Sequence, residues 1–301
     1  MIDLSQIPAP NIIESLDYET LLATRKAELI AAMPTDQQAT ITATLALESE
    51  PLAKWLQVAV YRELLLRQRV NDAARAVMLA QAQGSDIDQL AINYGYNVTR
   101  LVITPADSTA VPPVEAVMES DDDFRERILL SLDSYTTAGS TASYIYHAKS
   151  ASGQVLDVSA TSPEPGYVTV YILSRTGDGT ASEDLLETVR AALAEDTVRP
   201  LTDHVTVLSG SIVGYTIQAT IYVDKGSDPA VVQTDALDAA QTYADSVHRL
   251  DADPSISGIY RALHQPGVLR ATLVEPTADM DLSPGQAAYC TAINITAEVA
   301  A

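Results

Sequence analysis

Three acidic residues in a row, Asp121, Asp122 and Asp123, form the densest set of metal-type ligands in the chain. Converging carboxylates would hold a divalent cation, but consecutive residues on a helix point about 100° apart and do not converge by themselves. At the start of a helix the same carboxylates complement the positive end of the macrodipole, and that reading is preferred. Asp251, Asp253 and Ser255 imitate the first positions of a calcium loop. Ile256 stands where that loop needs glycine and Ala262 where it needs a bidentate glutamate, so the match is rejected. Thr176-Gly177-Asp178-Gly179 is short for a phosphate-cradling loop, lacks the Lys-Ser/Thr that must follow, and reads as a turn between strand and helix. His147, His204, His248 and His264 are isolated, with neither a zinc-type histidine pair on a helix nor a Gly-x-Ser-x-Gly elbow beside them. No catalytic, cofactor-binding or metal residue is therefore assigned, and no enzyme is expected.

Composition narrows the partners. The 301 residues can bury a sizeable core and divide into two or three domains. Cys290 is the single cysteine, which excludes an intrachain disulfide and a thiolate metal cluster and fits folding in a cytoplasm. The opening residues are acidic and proline-containing, unlike a secretory signal, and no uncharged apolar run is long enough to span a bilayer. The net charge is −22: residues 1–115 hold 14 acidic and 8 basic residues, a net of −6, and residues 116–301 hold 26 and 10, a net of −16. So acidic a chain repels nucleic-acid backbones and anionic membranes, which leaves proteins as partners. Fourteen tyrosines stand against one Trp and one Phe, and tyrosine suits protein interfaces as well as solvent-facing strands.

The element pattern predicts an α+β protein in three parts: a helical region at 1–115, then small α+β domains at 116–210 and 211–301. A helix over 17–33 ends before Pro34, and Pro51 opens an unbroken run of helix formers to Gln83, about 50 Å long at 1.5 Å per residue. Leu52, Leu56, Ala59, Leu66, Val70, Ala73 and Val77 follow steps of three and four, interrupted at Glu63, and form a heptad seam. Such a seam serves either a core within one subunit or a bundle between subunits. Gly84 suits a left-handed helix end, Ser85 an N-cap, and Gly95 the end of a second short helix bearing Ile87, Leu90 and Ala91. The proline-rich segment 104–120 reads as a linker.

Beyond it, residues 121–136 and 141–150 read as helices, two strands alternate around Pro163-Glu164-Pro165-Gly166, and a helix at 182–195 precedes the strand HVTVLSG. That order is a split β-α-β arrangement with helices on one sheet face. A strand beginning near Gly214, helices at 229–250 and 257–264, and strands at 267–275 and 288–299 make the last part.

Six segments in order resemble the baseplate assembly protein J family of contractile phage tails and related injection machines. They are GSDIDQLAINYGYNVTR, ESDDDFRERI, TTAGSTASYIYHA, PGYVTVYIL, VRPLTDHVTV and GIYRALHQPGVLRATLVEP. Ile87 and the extra residues around Tyr94 to Asn97 depart from the family's run. The resemblance implies a structural baseplate wedge protein of the virion tail, assembled in the bacterial host cytoplasm. It implies two copies per wedge, a helical bundle with tail protein I, contacts with wedge protein W and the central spike or hub, and a six-fold ring of wedges. A cell-envelope hydrolase and a receptor-binding adhesin are the competing readings of a phage tail protein.

Overall fold

In the structure, a computed structural model, residues 4, 7–8, 10–93, 97–136 and 139–300 are described. The chain divides into two compact units, Met1–Asn97 and Val98–Ala301. Gly95 and the neighbouring Tyr94 and Tyr96 lie outside the described residues, so the expected end of the second short helix does too.

The first unit is built from α1 (Tyr18–Ala32), α2 (Gln38–Ala46), α3 (Pro51–Ala76) and α4 (Ser85–Asn93). Asp17 caps α1 by accepting from the Thr20 N–H at 2.7 Å, which satisfies one of the free donors at the helix start. Leu22, Leu45, Ala53, Leu56 and Val60 form the buried centre of the three-helix layer, with Leu21, Leu29, Ile30 and Ile41 packed around it.

Pro51 opens α3 as its fixed φ predicts, but the helix ends at Ala76 and not at Gln83, so its 26 residues span about 39 Å. Turns closed by Met78 N–H to Arg75 O and by Gln81 and Ala82 N–H to Met78 O replace the expected last coils. Ala82 is buried there, and burial outweighs helix preferences worth only tenths of a kcal/mol per residue. Gly84 has φ of +53°, yet it ends this turn segment and not α3, and Ser85 is already the first residue of α4. Ile87, Leu90 and Ala91 form the buried face of α4, as their spacing predicts.

The second unit carries two three-stranded sheets, and its architecture is α+β. It opens with a correction. The segment expected to be a linker is an organised hairpin, in which β1 (Val102–Thr104) pairs antiparallel with β2 (Val117–Met118) and Asp107 bridges Val114. The Asp107 carboxylate accepts from Thr109 N–H, Thr109 Oγ1 and Ala110 N–H, an Asx turn that pins the start of the loop and holds the carboxyl below its usual range. Three prolines in the segment hide the strand signal, since proline reads as a breaker wherever it stands.

α5 (Asp121–Leu130) is capped by Ser120, which accepts from Asp123 N–H, and passes into a 3-10 turn at Ser131–Tyr135. α6 (Thr141–Ala151), β3 (Val155–Glu164), β4 (Tyr167–Ser174), α7 (Glu183–Leu193) and β5 (His204–Ser209) follow. The strand order is β3-β4-β5, with β4 antiparallel to β3 and parallel to β5. Tyr144 and Ala148 of α6 and Leu186, Val189 and Leu193 of α7 join Val158, Val170 and Val207 of the strands in one core.

A single residue, Gly210, separates β5 from β6 (Ser211–Val223). α8 (Pro229–Val247), α9 (Ile256–Leu263), β7 (Val268–Glu275) and β8 (Gln286–Val299) complete the second sheet, ordered β7-β6-β8. Its core joins Ile217 and Ile221 of β6 with Ala236 and Ala240 of α8 and Ile259 and Leu263 of α9.

The two sheets are locked together. Arg249, just after α8, donates to Leu156 O at 3.0 Å, Leu250 N–H donates to the Asp157 carboxylate at 3.0 Å, and Leu250, Ala287 and Leu173 pack together. Gly285, with φ of +81°, lies under the Tyr171 ring, where a Cβ would fall 2.6 Å from ring carbons. Gly285→Ala is therefore expected to destabilise the second unit by about 1–3 kcal/mol through overpacking and a strained φ, visible as a lower urea midpoint.

Candidate interaction face on the long helix

The sequence-marked acidic clusters are structural. The three aspartates at the start of α5 diverge to separate partners: Asp121 to Arg100 at 2.8 Å, Asp122 to Arg125 at 2.6 Å, and Asp123 to Arg175 at 2.7 Å and Arg249 at 3.4 Å. Burial pushes the Asp123 carboxyl up, but Arg175 and Arg249 outweigh it and hold the group below the usual range. The stability this adds is present above the unfolded carboxylate range and is lost as pH falls through the depressed value. Asp251 accepts from Gly285 N–H and Ser159 Oγ, and Asp253 from Leu282 N–H, so the loop that imitates a calcium site spends its carboxylates on its own backbone and neighbours. Among the described residues no group of three or more His, Cys, Asp or Glu is placed to hold a metal ion. His204 stacks on Tyr167, His248 Nδ1 meets Ala288 O, and His264 Nδ1 meets Tyr260 O. His147 is half buried, and burial lowers its pKa.

Deeper in the second unit, Glu119 and Arg127 form a bidentate pair at 3.0 and 2.7 Å, with side chains only 5% and 4% exposed. Arg127 also donates to Thr99 O at 2.6 Å, Arg100 to Glu119 O at 2.7 Å, and Leu101 N–H to the Glu119 carboxylate at 3.2 Å. Arg100 and Arg127 both lie over the buried Phe124 ring. This cluster clamps the base of the 101–118 hairpin to α5.

The seam on α3 divides into two faces. Leu52 packs against the first unit's core and Leu56 is 7% exposed within it, alongside Ala53 and Val60. Further along the same face Asn71 is buried, donating to Glu14 O at 2.9 Å and accepting from Glu14 N–H at 3.1 Å. Glu63, the residue that interrupts the seam, receives Arg25 and Arg67 and is pulled down to about 2, chiefly by the Arg25 hydrogen bonds. That contribution likewise persists above the unfolded carboxylate range and fades only in strong acid.

About a third of a turn away the helix shows solvent an apolar strip. Leu66 is 69% exposed, Val70 59% and Trp55 67%; Val58 and Leu65 are exposed as well. Ala73 is exposed, Ala59 is half-buried, and Val77 is exposed just past the helix end. Of the seven seam residues the structure thus assigns Leu52 and Leu56 to the unit's interior and leaves Leu66, Val70, Ala73 and Val77 outward. Trp55 and Val58 escaped a seam anchored on Leu52, though the lone tryptophan lies about three turns before the exposed Leu65 and Leu66. Scattered exposed apolar residues are ordinary, and here several of them fall on one helix.

Models of three parts of one family match the chain in order: the baseplate J-like N-terminal domain at residues 48–107, the central domain at 136–209 and the C-terminal domain at 215–296. The chain belongs to the baseplate J family. Its relatives include baseplate protein J of Escherichia phage P2, 51% identical over 291 residues, which cover 97% of this chain and 96% of the relative. Membership of the baseplate J family makes it a structural protein of a phage tail baseplate, part of the virion. The N-terminal model spans α3 and the hairpin's start, so the exposed strip belongs to a part of the chain that the family shares. Among the described residues no helix is long and apolar enough to cross a membrane.

Proposed function

We propose that this chain is a wedge protein of a contractile tail baseplate, without catalytic activity, and that α3 enters a helical bundle with tail protein I. Residues 1–115 act as the bundle region, and the α+β domains at 116–210 and 211–301 link wedges into a six-fold ring. Other copies of the chain, wedge protein W and the central spike or hub are its further contacts, assembled in the bacterial cytoplasm. One observation carries the bundle reading: α3 already has a core on one face and still shows solvent Trp55, Val58, Leu66 and Val70 on the other. A helix apolar on two faces packs on more than one neighbour.

Leu66→Asp combined with Val70→Asp removes the outer strip without touching the inner core. Its complex with co-expressed tail protein I is expected to weaken by at least about tenfold, as for central apolar anchors of an interface, while far-UV circular dichroism stays unchanged. Complex formation at wild-type yield would refute the bundle assignment.

A further inference from the structure

The chain passes from the first unit into the second at Asn97, and the first structure it builds there is the 101–118 hairpin. β1 and β2 are antiparallel, so the end arriving from Val98 and the end leaving for α5 lie side by side at the hairpin's base. Tension carried along the chain from the first unit therefore pulls those two ends apart and opens the ladder pair by pair from the base. The ladder is short: Val102 opposite Met118, Thr104 opposite Val117, and the Asp107–Val114 bridge. From Val102 to Met118 every residue except Ile103 and Ala110 is exposed, so opening uncovers little further apolar surface.

The base is built differently. Val98 is buried, and Glu119 N–H donates to Leu101 O at 2.9 Å beside the Leu101 N–H bond to the Glu119 carboxylate. Arg127 ties that carboxylate to Thr99 O, and Arg100 holds Glu119 O. Gln154 Nε2 donates to Ile103 O at 2.6 Å, and Gly153 approaches Val102 O so closely that a Cβ would collide with it. The strongest bonds thus stand where the load enters, across a loop that by itself would yield. We propose that the hairpin is a reserve of chain length at the start of the second unit, locked at its base by Glu119 and Arg127 and released under tension while the unit's cores stay folded. Release frees the chain from Leu101 to Glu119 and lengthens it by about 55–60 Å, the extended length less the spacing of paired strands. The inference needs only the order of the units along the chain and does not rest on the bundle reading.

Optical tweezers pulling the full chain by its two ends test this. A reversible extension of about 55–60 Å is expected before the sheets of the second unit unfold. Val102→Cys with Met118→Cys, in a Cys290→Ser background, staples opposite residues of the ladder; oxidation should remove the step and dithiothreitol should restore it. Arg127→Met should move the step to lower force by stripping contacts from the base. Unfolding of the second unit in one event without such a step, or a step that survives the oxidised staple, would overturn the length reserve. A step at unchanged force in Arg127→Met would overturn the lock. Should that variant not fold, Gln154→Ala leaves the ion pair in place and is expected to lower the force in the same direction, an unchanged force again rejecting a lock at the base.

Discussion

Replacing Arg127 with methionine is expected to lower the stability of the second unit by about 3–5 kcal/mol, the cost of breaking a buried ion pair from one side. The pair it forms with Glu119 is bidentate and almost fully enclosed. Without Arg127 the carboxylate retains the Leu101 N–H but loses both guanidinium hydrogen bonds, while Thr99 O loses a 2.6 Å donor. The double variant Glu119→Leu, Arg127→Met removes both charges and is expected to recover part of the loss. Recovery stays incomplete because Leu101 N–H then lacks its acceptor. Urea unfolding measures all three proteins, and hydrogen exchange at Leu101 and Glu119 should accelerate most, since the pair anchors the hairpin's base. A single variant within 1 kcal/mol of wild type would show that water reaches the pair and that the clamp is dispensable.

Local chemistry made much of the fold legible before any coordinates. The helices expected from 121 and 141 start at Asp121 and Thr141, Pro51 opens α3, and the alternating segments on either side of Gly166 pair as β3 and β4. These features depend on a few neighbouring residues, so the sequence displays them directly. Where long-range burial decides, the reading failed. The stop of α3 at Ala76 follows from burial of Ala82 within a turn, which no propensity signals. The hairpin at 101–118 is organised by Glu119, by Arg127 and by Gln154 Nε2 donating to Ile103 O, partners up to 51 residues away. The seam was half legible for the same reason. Spacing shows that a residue lies on an apolar stripe and cannot tell which of two stripes the rest of the chain will cover.

Leu56 and Leu66 share that seam by spacing, and placing aspartate at each should give opposite results. Leu56 lies with Leu22, Leu45, Ala53 and Val60 in the buried cluster of the three-helix layer. A carboxylate there has no cation within the cluster, and the lost leucine adds a void, so Leu56→Asp should cost at least about 3–5 kcal/mol. Against a stability of about 5–15 kcal/mol for an ordinary domain, that loss exposes much of the first unit to unfolding. Proteolysis should then degrade residues 1–97 while the second unit, which has its own cores, survives as a resistant fragment. Leu66→Asp exposes no core and creates no void, so its effect on stability should stay within about 0.5 kcal/mol. The outer residue should instead change the size of the complex with tail protein I and leave the isolated chain as stable as before. Equal destabilisation by the two substitutions would mean that the outer strip is part of the unit's own core. Loss of partner binding would then report unfolding, and the division of α3 into a folding face and a docking face would fail.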